Sequence, residues 1–177
     1  DWFLHVHFWD PHTPYNAPES YGNPFADEAI PSWHTEEVRA RNWSLAGPHS
    51  AQEPWGFRPD EWGVPGPRSP WNLETESDVK QMFDGYDVGI RYADDAVGHL
   101  ANKLADLGVL DDTIIWISSD HGEAFGELGV YADHQAADHA TAHIPAILSG
   151  PDIAVGEQTG LHYHLDVAAT VVDLAGG

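Results

Sequence analysis

The chain has 177 residues, long enough for one domain with a sizeable core, and its 42% hydrophobic content with eight tryptophans excludes a disordered chain. Twenty-nine acidic residues against seven basic ones leave a formal net charge of −22, with no basic patch to neutralise phosphates, which argues against nucleic acid as a partner. Absence of cysteine excludes disulfides and thiolate metal sites, and no apolar run is long enough for a membrane helix.

Residues 2–8 form an apolar run interrupted by His5 and His7, which predicts a strand buried on both faces. Both histidines fall on one side of that strand and are read as sheet-interior groups. A turn follows, Trp9-Asp10-Pro11-His12-Thr13-Pro14-Tyr15, in which Asp10 is expected to brace His12 or the turn. Residues 16–72 hold nine of the thirteen prolines, so long helices are not expected there. This stretch, extended to about residue 76, reads as an irregular insertion. Its tryptophans (Trp33, Trp43, Trp55, Trp62 and Trp71) are expected to anchor the loops onto the body, with a substrate cleft as the alternative.

Residues 77–107 predict a long helix. Met82, Tyr86, Ile90, Ala93, Val97, Leu100, Leu104 and Leu107 recur every three or four positions as one stripe. Gly108 ends the helix, and Asp94 and Asp95, pointing about 100° apart, read as surface charges. Residues 113–118 then predict a buried strand that delivers Ser118-Ser119-Asp120-His121-Gly122-Glu123 into a turn. Open α/β sheets place ligands at the carboxyl ends of strands. A neighbouring carboxylate and imidazole can bind one divalent cation there, so Asp120 and His121 are the candidate metal ligands.

His139 and His143 share one face of a short helix, and residues 146–149 predict a further strand. His162 and His164 alternate on an extended segment, after which Asp166 is expected to cap a helix running to Leu174. The order implies an α/β fold with a mainly parallel sheet flanked by helices.

The string Asp-Pro-His-Thr-Pro-Tyr after one apolar run and Ser-Asp-His-Gly-Glu after another resembles the sulfatase family of the alkaline-phosphatase superfamily. The helix 86–107, Leu110-Asp111-Asp112-Thr113, the strand around 144–148 and His164-Leu165-Asp166 through Gly176 resemble later family segments in the same order. The resemblance implies that the whole chain is part of a sulfatase-like catalytic domain. It implies one divalent cation on Asp120 and His121: calcium by family habit, with manganese or zinc favoured by an imidazole ligand. It also implies that His12 contacts the sulfate or protonates the leaving group. The family's sulfate-binding lysine has no counterpart, and His134 is the candidate replacement, both catalytic and substrate-binding. His164 matches a position near the rim of the site.

The family's Cys-x-Pro-x-Arg motif, whose cysteine becomes the formylglycine nucleophile, is absent. The sequence is therefore expected to be an excerpt of a longer protein and inactive alone, its parent hydrolysing small-molecule or carbohydrate sulfate esters. Two alternatives stay open: a phosphodiesterase, phosphonate monoester hydrolase or phosphoryl transferase of the same superfamily, and a non-catalytic anion-binding chain. So much acid beside only two lysines, Lys80 and Lys103, reads as adaptation to molar salt. The expected compartment is cytoplasmic, with secretion left open, and the oligomeric state has no sequence signature.

Overall fold

The computed structural model describes residues 2–56 and 68–176; Trp62 lies outside the described residues. The elements are a 3₁₀ turn at Glu19–Tyr21, helix α1 (Glu36–Trp43), helix α2 (Glu76–Asp106), a second 3₁₀ turn at Leu110–Asp112, strand β1 (Ile115–Ser118), helix α3 (His139–Ala142), strand β2 (Ala146–Ser149) and helix α4 (His164–Leu174). Among the described residues no helix is long and apolar enough to cross a membrane.

α2 begins where a capping box forms. Thr75 Oγ1 accepts from the Asp78 amide at 3.2 Å, and Asp78 Oδ2 accepts from the Thr75 amide at 2.7 Å. Gly108, at a φ of 70°, follows its last turn. The buried face differs from the predicted stripe. Val79, Met82, Gly85, Val88 and Gly89 are buried, whereas Ile90, Leu100 and Leu107 are exposed. Two glycines explain the difference, because they let backbone approach closer than any side chain would allow. A Cβ on Gly85 would stand 2.6 Å from the Arg68 carbonyl oxygen, and one on Gly89 would stand 2.9 Å from Pro11 Cβ. Gly89 thus seats the turn that carries His12 directly on the helix. Asp94 and Asp95 face solvent beside Arg91, whose guanidinium lies 3.8 and 3.3 Å from them.

The core gathers Tyr15, Ala51, Trp55, Leu73, Val79, Met82, Phe125, Tyr131 and Ala132. Tyr15 is fully buried, its ring edge-on to Trp55 at 5.7 Å and Tyr86 at 5.6 Å, and stacked on Phe125 at 6.1 Å. Such aromatic pairs contribute beyond their buried area, which suits a segment with little regular structure. Trp55 anchors the 16–56 loops, donating from Nε1 to the Pro70 carbonyl at 2.7 Å. Trp43 packs against the same cluster, while Trp33 and Trp71 are exposed.

Two predicted strand features are corrected. β1 and β2 pair antiparallel, with Ile115 opposite Ser149 and Ser118 opposite Ala146, where a mainly parallel sheet was expected. A parallel partner requires a crossover that carries the chain back along the sheet. The segment between these strands holds only the four-residue α3, so the chain re-enters from the end it left. Residues 2–8 form no ladder, and Trp2, Phe3, Leu4, Val6 and Phe8 are exposed. Apolar composition alone does not make a strand without a partner to bond. At α4 the boundary also shifts: His164 is the first helical residue, and Asp166 sits in the first turn, where its Oδ2 accepts from the Tyr163 amide at 2.7 Å.

Candidate active site

The turn after β1 is held by its own polar groups. Ser118 Oγ donates to the Pro145 carbonyl at 2.8 Å, Ser119 Oγ to the His121 carbonyl at 2.9 Å, and the His121 amide to Asp120 Oδ1 at 3.1 Å. The Gly122 amide donates to the Thr141 carbonyl at 2.8 Å, fastening the turn to α3. Residue 122 is glycine because a Cβ there would sit 2.0 Å from the Ala140 carbonyl oxygen. This places Asp120, exposed, beside His121, half-buried. His164 reaches the same turn, its Nε2 donating to the Ser119 carbonyl at 3.1 Å.

His121 Nδ1 lies 2.8 Å from the Gly122 carbonyl, which can only accept, so Nδ1 carries the proton and Nε2 keeps its lone pair. Nε2 is 3.7 Å from Asp120 Oδ2. Two donors on one ion at about 2.2 Å each stand at most ~4.4 Å apart, so this pair fits a divalent cation. Burial raises the Asp120 carboxyl, but backbone amides and the His121 and His7 imidazoles outweigh it and hold the group below its ordinary value. A carboxylate already ionised is the form a cation needs. Among the described residues no group of three or more His, Cys, Asp or Glu assembles that could hold a metal ion.

His12 arrives from the other side of the chain. Its amide closes a turn onto the Trp9 carbonyl at 2.9 Å, and its Nδ1 donates to the Thr13 carbonyl at 2.7 Å, again leaving Nε2 free. The Trp9 ring lies 4.3 Å from the imidazole. Asp10 is partly buried, and burial raises its carboxyl against a lowering backbone hydrogen bond.

His134 is delivered by a hairpin-like segment. Phe125 bridges Tyr131 antiparallel, the Ala124 amide donates to the Asp133 carbonyl at 3.0 Å, and the Ala132 amide donates to the Ala124 carbonyl at 2.9 Å. That register sets Glu123 beside Asp133 and His134. The three histidine rings converge: His121 and His134 stack at 3.8 Å, His12 and His134 meet edge-on at 5.3 Å, and His12 and His121 at 6.4 Å. All four predicted site residues, His12, Asp120, His121 and His134, therefore gather at one place. His139 and His143 form a separate pair, their rings 4.7 Å apart.

Glu123 belongs to this site and was not singled out in the sequence, although it closes the Ser-Asp-His-Gly-Glu run. Its Oε1 lies 3.5 Å from His134 Nδ1, and its side chain is only 4% exposed. Burial, with the Asp133 carboxylate adding, pushes its carboxyl up to about 8. Burial, then the His121 and His12 imidazoles, push His134 below the ordinary imidazole value. Both shifts favour a neutral pair over an ion pair. Burial likewise raises the Tyr86 phenol to about 12 and Tyr15 well above its ordinary value, with Glu123 adding to each.

An acidic and an imidazole group at a strand end, with two further histidine rings beside them, make up the candidate site. The Sulfatase family model matches residues 1–177, and the chain belongs to that family. A choline-sulfatase of Rhizobium meliloti (strain 1021) is 32% identical over 176 residues, covering 99% of this chain and 31% of the relative. Human iduronate 2-sulfatase is 31% identical over 154 residues, 84% of this chain and 26% of the relative. A protein of Trinickia caryophylli, the multifunctional alkaline phosphatase superfamily protein PehA, is 27% identical over 187 residues, 99% of this chain and 34% of the relative. The chain thus spans between about a quarter and about a third of the length of these curated relatives.

Proposed function

We propose that this chain supplies half of the metal site and the anion contacts of a metal-dependent sulfuric ester hydrolase, whose substrate is a small-molecule or carbohydrate sulfate ester. The observation that carries the reading is the Asp120–His121 pair at the end of β1, with His12 and His134 closing over it. Family membership supports sulfate ester hydrolysis at the level of the family.

In this reading Asp120, through a carboxylate oxygen, and His121, through Nε2, hold the divalent cation: calcium by family habit, manganese or zinc by ligand chemistry. When bound, the cation neutralises the ester oxygens and favours the charge that builds in the transition state. His12 presents Nε2 toward the ester oxygens and, once protonated there, donates to the leaving oxygen. His134, read as the replacement for the family's lysine with a one-residue shift, offers a hydrogen bond to the remaining sulfate oxygens. The nucleophile, proposed to be a formylglycine, lies outside these residues.

A second reading, hydrolysis of phosphorus esters, is favoured by the similarity to the PehA protein across 99% of the chain. The test uses the full-length protein with p-nitrophenyl sulfate, phosphate and phenylphosphonate esters, before and after chelation and metal add-back. Preferred turnover of the sulfate ester, lost on chelation and restored by metal, is expected. Preference for a phosphorus ester would move the assignment to the second reading, and metal-independent turnover would overturn both.

A further inference from the structure

Glu123 stands out as a buried carboxyl group without a hydrogen-bond partner for its Oε1, and His134 Nδ1 is buried and unpartnered as well. Buried polar atoms are rarely left without a partner, so a pair of them facing one another at 3.5 Å calls for an explanation. Hydrogen bonds that serve catalysis are often long before substrate arrives and tighten in its complex. A movement of a few tenths of an ångström joins these two atoms and leaves neither unsatisfied.

We propose that Glu123 is the positioning residue of His134: its Oε1 engages Nδ1 and so aims Nε2 at the bound anion. The imidazole nitrogens lie on different edges of the ring, so a partner on Nδ1 from the interior turns Nε2 outward. The register Phe125–Tyr131 fixes the separation, since Glu123 enters that ladder and His134 leaves it. Stacking on His121 at 3.8 Å removes the other freedom, rotation of the ring out of its plane. A lysine would need no such partner, because a flexible ammonium donates in three directions. A histidine standing in its place has two edges, one of which must be secured. The inference rests on reading His134 as an anion contact.

The test compares Glu123→Gln, Glu123→Asp and Glu123→Leu in the full-length protein, each with and without His134→Ala. Inorganic sulfate as inhibitor and p-nitrophenyl sulfate as substrate serve as probes. Glu123→Leu and Glu123→Asp are expected to weaken sulfate inhibition and raise KM about tenfold, Asp because it falls short by a methylene. Glutamine, still able to engage Nδ1, is expected to stay within about threefold of wild type. In the His134→Ala background the same changes should add less than about twofold. An equal loss in both backgrounds would mean that Glu123 does not act through His134 and would overturn the inference. Nitrogen-15 spectra of the histidine rings give an activity-free readout: the His134 Nδ1 resonance should shift in Glu123→Asp, and an unchanged resonance overturns the pairing. Unchanged sulfate inhibition in His134→Ala alone would instead overturn the anion role of His134.

Discussion

His121 and His134 lie ring on ring, centroids 3.8 Å apart and planes 13° from parallel. One ring belongs to the strand-end turn and the other to the hairpin that follows, so the stack ties these two segments together. Neither ring can tilt without displacing its neighbour.

Replacing Asp120 with alanine should lower metal affinity by at least about 10²-fold and abolish turnover in the full-length protein. Because the carboxylate is exposed, the thermal midpoint measured without metal should hardly move. Metal titration by calorimetry decides the matter; unchanged affinity and turnover would remove Asp120 from the site.

Gly122→Ala is the most economical way to disturb the same turn without touching a ligand. Its methyl would press on the Ala140 carbonyl oxygen at 2.0 Å, and the expected cost is about 1–3 kcal/mol by chemical denaturation. Turnover should fall with it, since the amide of residue 122 anchors the turn to α3.

The Tyr131 hydroxyl accepts from Asn42 Nδ2 at 2.8 Å and pairs with His34 Nε2 at 2.9 Å, all three groups being buried. Tyr131→Phe removes the partner of His34 Nε2 and one of two from Asn42 Nδ2, which keeps its bond to the Gly126 carbonyl at 2.9 Å, and should cost about 1–3 kcal/mol of stability. A double variant with Asn42→Ala should cost less than the sum of the two single changes, and strict additivity would discount the network.

His34 makes stability sensitive to acid. Burial lowers its pKa below the ordinary 6.5, with Arg39 lowering it further and its own backbone hydrogen bond and Glu76 opposing. The unfolded chain therefore binds this proton more readily than the folded one. Stability owed to neutral His34 is complete above pH 6.5 and drains away as pH falls from there through the folded pKa. Denaturation midpoints between pH 7 and 5 should decline for wild type, and more shallowly for His34→Gln.

A net charge of −22 should make stability rise with salt. Moving from about 0.1 M to about 1 M potassium chloride shortens the Debye length from ~10 to ~3 Å, which quenches most self-repulsion. A thermal midpoint that climbs across this range, and climbs further above it, would agree with adaptation to brine; a flat one would remove that reading.

Asp120 and His121 were legible because their chemistry is contiguous: a strand, two donor side chains and a glycine in one short run. His12 was legible from its proline-flanked string. Glu123 was not, because its role comes from the pairing of Phe125 with Tyr131 across a turn containing Gly126 and Gly129, both at positive φ. No local pattern announces that pairing. The face of α2 was misread for a related reason: a stripe of large apolar residues draws the eye, whereas Gly85 and Gly89 do the packing. Strand direction was missed because a hydrophobic run carries no information on the sense of its neighbour, and the burial expected of β1 was missed with it, since β1 and β2 are half-buried to exposed.

The proton positions of His12 and His121 are dictated by main-chain carbonyls, at Thr13 and Gly122. The tautomer of both imidazoles is therefore written in the orientation of two peptide planes. A lineage could exchange the neighbouring side chains while every descendant still offers the same two lone pairs. Only a change that rotates one of those peptides would reverse which nitrogen keeps its lone pair.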